Sequence, residues 1–101
     1  QLNYNKKRSK YLMKTYLISY DLNEAESDEY NQLFDYIKSF GTWAHITESL
    51  WAIKTDSSAA EIRDAVKRIV PDGSRIFVIK SSGVAAWSNV ICSNAWLKEH
   101  L

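Results

Sequence analysis

The feature that most limits how this chain can fold is a change of hydrophobic period that occurs twice. In YLISYDLNEAESDEYNQLF, residues 16–34, a nearly continuous apolar run gives way to apolar residues three and four apart. The run from Thr15 to Leu22 is rich in β-formers and lacks alternation, as a central strand buried on both faces does. Ser27 or Asp28 can then cap a helix whose apolar stripe is Tyr30, Leu33, Phe34, Ile37 and Phe40, with Gly41 as its left-handed stop.

The second change follows a predicted hairpin. TWAHITES alternates Trp43, His45 and Thr47 against Ala44 and Ile46, and LWAIKT follows a tight Glu48-Ser49 connection. Ser58 and Glu61 then stand at capping-box spacing ahead of Ile62, Ala65, Val66 and Ile69, while Arg63, Asp64, Lys67 and Arg68 point toward water. Pro71-Asp72-Gly73 makes a turn into a fourth strand, SRIFVIKSS. Past Gly83 the pattern loosens through VAAWSNVICSN, and NAWLKEHL suggests a short terminal helix capped by Ser93.

The order is βαββαβ with a C-terminal extension over residues 83–101. Two split βαβ units with short loops point to an α+β, ferredoxin-like sandwich, an antiparallel four-stranded sheet with both helices on one face. Such a sheet must wet its other face or bury it against a partner. We expect Trp43 or Trp51, with alternate residues of strands one and four, to make that face apolar and a second copy to cover it. A chain of 101 residues holds a single domain and is marginal alone, which also favours a homodimer.

Charge is unevenly placed. Lys6, Lys7, Arg8 and Lys10 give residues 1–12 four cations and no acid, leaving nine basic against twelve acidic side chains in residues 13–101, a net of −3. Two readings of this leader stay open: translated sequence upstream of Met13, or a basic arm for nucleic acid. Residues 13–101 form the single domain. The lone Cys92 forms no internal disulfide, which fits a reducing cytoplasm. No apolar run approaches the roughly 18–20 residues of a membrane helix, so no membrane partner is expected.

A strand ending in Tyr20-Asp21, a helix closing on Phe40-Gly41 and a hairpin carrying Ser49-Leu50-Trp51 together resemble CRISPR-associated protein 2 and the related VapD toxins, over roughly residues 14–80. The resemblance implies a ferredoxin-fold homodimer associated with RNA or DNA. In that family the strand-one aspartates of two subunits approach each other; some members use them with Mg²⁺ to cleave nucleic acid and others only scaffold. Asp21 is the residue carried over, as catalytic group and Mg²⁺ ligand. That chemistry is coherent, because Mg²⁺ takes only one or two protein carboxylates and polarises a phosphate or activates water.

The chain departs from the family around its first helix, which here carries Glu24, Glu26, Asp28, Glu29 and Asp35 against Lys38 alone. A non-catalytic dimer that binds a protein partner through this acidic surface and the tryptophans is the competing class. Asp21 also has a structural reading, since a strand-end Asp commonly bonds the backbone of the turn that follows. Asn23, Glu24 and Glu26 could complete a cation site but are expected to be solvated turn residues. His45 is expected as a hydrogen-bonded sheet histidine, Arg63, Lys67 and Arg68 as a solvated face, and Cys92 as buried or inert.

Overall fold

The computed structural model describes residues 13–101, and the basic leader, residues 1–12, lies outside the described residues. The elements run β1 (Lys14–Asp21), α1 (Ser27–Lys38), β2 (Trp43–Thr47), β3 (Leu50–Thr55), α2 (Ala59–Ile69), β4 (Arg75–Lys80) and α3 (Asn94–His100). The strands form an antiparallel sheet in the order β2-β3-β1-β4. Together with both long helices on one face, this is the expected ferredoxin-like βαββαβ arrangement.

The helix-side core joins Ile18 and Tyr20 of β1 and Trp51 and Ile53 of β3 to Leu33 and Ile37 of α1 and Ile62 and Val66 of α2. The period-two strands and period-3.6 helices thus meet on their apolar faces, and the drive is the removal of apolar surface from water. Local chemistry fixes the ends. Ser58 caps α2 reciprocally with Glu61, the Glu61 N–H donating to Ser58 Oγ at 3.1 Å and the Ser58 N–H to Glu61 Oε1 at 2.8 Å. The first helix begins one residue earlier than Ser27 or Asp28 would place its cap: Glu26 is the cap residue, and its N–H donates to Glu29 Oε1 at 2.9 Å. Gly41 closes the helix at φ +93°, and Gly73 takes φ +85° in the turn before β4.

Two expectations need correction. Trp51 is not on the sheet's second face: it is 2% exposed in the helix-side core, and Trp43 and His45 lie beside it at ring-centroid distances of 5.5 and 3.9 Å. Nor is the second face bare. After β4 the chain crosses the strand ends, where the Ser81 N–H donates to the Thr15 carbonyl at 2.8 Å, and the extension lies over the sheet. Leu97 packs with Ala44, Ile46 and Ala52, and Trp87, Val90, Cys92 and Trp96 complete this smaller core. Ser93 caps α3 as expected, its Oγ accepting from the Trp96 N–H.

Candidate functional site

The extension covers the second face over β2 and β3 and leaves a strip along β1 and β4. Alternation assigns the residues of that strip. Ile18 and Tyr20 of β1 and Ile76 and Val78 of β4 face the helices, so Ser19, Asp21, Arg75, Phe77 and Ile79 face the other way. Phe77 is 62% exposed and Ile79 47%, which is unusual for large apolar side chains on a sheet. Both lie on β4, the edge strand of the sheet, where an unpaired row of backbone groups invites pairing.

Asp21 stands at the rim of this strip. Its cross-strand partner in the β1–β4 register is Arg75, whose guanidinium donates to Asp21 Oδ2 at 2.9 Å. Both side chains are well exposed, 69% for Asp21 and 86% for Arg75, so water screens the pair and its energetic worth is small. A depression lined by Ser19, Asp21, Arg75 and Phe77 adjoins it. The carboxylate is therefore held in place but remains available.

The donor set can be compared with what Mg²⁺ requires. Among the described residues no three His, Cys, Asp or Glu side chains gather as a metal cluster. One subunit brings Asp21 alone to the rim, which suits an ion that takes one or two carboxylates and fills its shell with water and phosphate oxygen. A second carboxylate has to come from a second copy. Arg75 is the local competitor for Asp21 and could equally meet a phosphate.

The other sequence candidates do not join Asp21. Asn23 is committed to the turn before β4: its N–H donates to Ser74 Oγ and its Nδ2 to the Asp72 carbonyl, both at 3.0 Å. Glu26 serves as the α1 cap residue. His45 Nε2 lies 3.1 Å from the Glu48 carbonyl while the ring stacks on Trp51, so it is a structural sheet histidine as expected. Arg63 pairs with Asp64 at 2.9 Å on the exposed face of α2. Cys92 sits half-buried in the extension's core, and desolvation pushes its thiol pKa up, away from thiolate chemistry.

Sequence reasoning missed a polar relay beneath the site. The buried Trp51 Nε1–H donates to Tyr20 Oη at 3.0 Å, and Tyr20 O–H donates to the Glu48 carbonyl at 3.2 Å. The Tyr20 hydroxyl thus ties the residue before Asp21 to the β2–β3 turn. Tyr20-Asp21 and Ser49-Leu50-Trp51 were visible as separate motifs, but their contact depends on the β1–β3 register, which pairs Ser19 with Leu50 and Ile18 with Trp51. Among the described residues no helix is long and apolar enough to cross a membrane.

No protein-family model matches the chain. Among solved structures, it is similar to a hypothetical protein, TT1823, from Thermus thermophilus, with a TM-score of 0.59 and 18% sequence identity over 77% of this chain and 94% of that one. At that identity the likeness concerns the fold, and it extends over nearly the whole of the Thermus protein.

Proposed function

We propose that the protein is a cytoplasmic homodimer that acts on nucleic acid in the manner of CRISPR-associated protein 2, with Asp21 from each copy at the dimer seam. The observation that carries this reading is the uncovered strip of Phe77 and Ile79 that ends on the exposed Asp21. A second copy laid on that strip removes the two apolar side chains from water and brings a carboxylate from each subunit toward one seam. The Asp21 pair would hold Mg²⁺, which supplies charge neutralisation at a phosphate; Arg75 contributes a guanidinium suited to the same group.

The ion pair itself favours a second reading. Asp21 already has a cationic partner in Arg75, and α1 presents acidic residues, so a non-catalytic dimer that binds a protein is the competing function. One experiment separates them. The purified chain is incubated with end-labelled RNA and DNA, with Mg²⁺ or with chelator, beside Asp21→Ala. The nuclease reading expects chelator-sensitive cleavage that the substitution abolishes. Cleavage that survives Asp21→Ala removes this residue from the chemistry, and the absence of cleavage and of binding to either nucleic acid leaves the interaction module.

A further inference from the structure

Residues 13–101 carry a net charge of −3, yet three of their nine cationic side chains line one depression at the end of the sheet opposite Asp21. Lys14 opens β1, Lys54 stands next to the end of β3, and Lys80 closes β4, so the antiparallel register itself gathers them. The depression is open, about 470 Å³ in volume, and is completed by Thr15, Ser81 and His100, with no Asp or Glu side chain in its wall. The ion pairs among the described residues are Arg63–Asp64, Arg75–Asp21 and His100–Glu99, none of which involves the three lysines. Residues 1–12 contain no acid that could serve them.

The surrounding hydrogen bonds preserve donors facing this space. Lys54 Nζ lies 3.4 Å from His100 Nδ1, a contact in which the ammonium donates and the ring nitrogen accepts. The Thr15 hydroxyl donates to the His100 carbonyl, fastening the end of α3 to the wall. Ser81 Oγ accepts the Gly83 N–H at 3.2 Å, which leaves the Ser81 hydroxyl proton for an external acceptor. Three like charges around one depression repel each other, and a bound anion with several acceptor oxygens relieves that repulsion.

We propose that Lys14, Lys54 and Lys80, with Ser81, form a phosphate-binding site. The seven residue steps from Lys14 to Asp21 put it about 23 Å along the strand from the carboxylate, so it is a separate site and not an arm of the first. It rests on the nucleic-acid reading above only for the source of the phosphate, which is either a phosphodiester backbone or a free phosphate ion.

The test uses the full chain, Lys14→Ala/Lys80→Ala, Lys54→Gln, and Lys67→Ala/Arg68→Ala as a charge-matched control on the outer face of α2. Inorganic phosphate is titrated while the amide resonances of residues 81–83 are followed, and labelled single-stranded RNA and DNA are titrated by anisotropy over a range of salt. Lys14 and Lys80 are exposed, so their double variant keeps the fold even if Lys54→Gln disturbs it. The proposal expects phosphate to shift those amides in the wild type and the control but not in the lysine variants. With a phosphodiester source, oligonucleotide affinity also falls several-fold, and the log–log salt slope falls by about 0.9 for each lysine removed.

Phosphate binding that depends on the lysines, without oligonucleotide binding, supports a site for the free ion and refutes the nucleic-acid reading alone. Oligonucleotide binding weakened equally by the control, with no lysine-dependent phosphate shift, overturns the site and leaves the nucleic-acid reading standing. Silence from both probes overturns the site.

Discussion

Tyr20 shows how one hydroxyl can hold several elements together. It is 6% exposed, accepts from the Trp51 indole and donates to the Glu48 carbonyl. Tyr20→Phe keeps the ring but leaves a buried indole N–H without its acceptor, a loss of about 1–3 kcal/mol. Urea unfolding should show a lower midpoint at an unchanged slope. Burial also raises the Tyr20 pKa above 10.0, since desolvation disfavours the phenolate. A folded-state value above the unfolded one means that this contribution is complete below the unfolded pKa of 10.0 and is lost as pH rises through the folded value. Stability measured from pH 9 upward should therefore fall less steeply in Tyr20→Phe than in the wild type. Tyr36, also raised by burial, retains its share of the alkaline loss in both proteins. Asp21 behaves oppositely as a stability residue. Its pairing with Arg75 is exposed, so Asp21→Ala should cost about 1 kcal/mol or less in the same urea measurement. Loss of a nucleic-acid activity in that variant would then not be explained by unfolding.

At the scale of elements, α3 and the segment leading to it depend on a single deeply buried side chain. Leu97 is 1% exposed among Ala44, Ile46 and Ala52, while the Trp96 indole donates to Thr42 Oγ1 at 3.0 Å. Leu97→Ala should cost about 2–5 kcal/mol. Because this extension crosses only one face, the damage should be local first: amide exchange across residues 84–100 should accelerate before that of β1 and β3. The two long helices, the hairpin and the strand order were legible in the sequence because each carries a clear period and turn or cap residues at its ends. The extension's path was not, since residues 81–93 have neither period and their partners, Ala44, Ile46 and Ala52, lie in strands far earlier in the chain. The side of Trp51 was hidden for a related reason. In β3, Trp51, Ala52 and Ile53 are all buried, between helices on one side and the extension on the other. A strand covered on both faces has no alternation to reveal which residue points where. Asp21 was visible as a strand-end carboxylate, but Arg75 lies 54 positions away and becomes its partner only through the β1–β4 register.

The whole molecule is a sheet with one face closed by two helices and the other closed over β2 and β3 by its own C-terminal segment. What remains uncovered is narrow, and Phe77 and Ile79 are its apolar content. If the proposed dimer forms on this strip, association is linked to folding, and the melting temperature of the wild type should rise with protein concentration. Phe77→Glu puts a charge where the two copies would meet and should abolish that dependence, giving a monomer by light scattering at every concentration tested. At high dilution the two proteins should melt together, because a side chain 62% exposed in the single subunit contributes little to that subunit's own core. A wild-type melting temperature that does not vary with concentration, with a monomeric mass throughout, would leave each Asp21 alone on its own subunit. The paired-carboxylate seam would then have no physical basis, whereas the lysine-lined depression at the other end of the sheet, built within one chain, would be untouched.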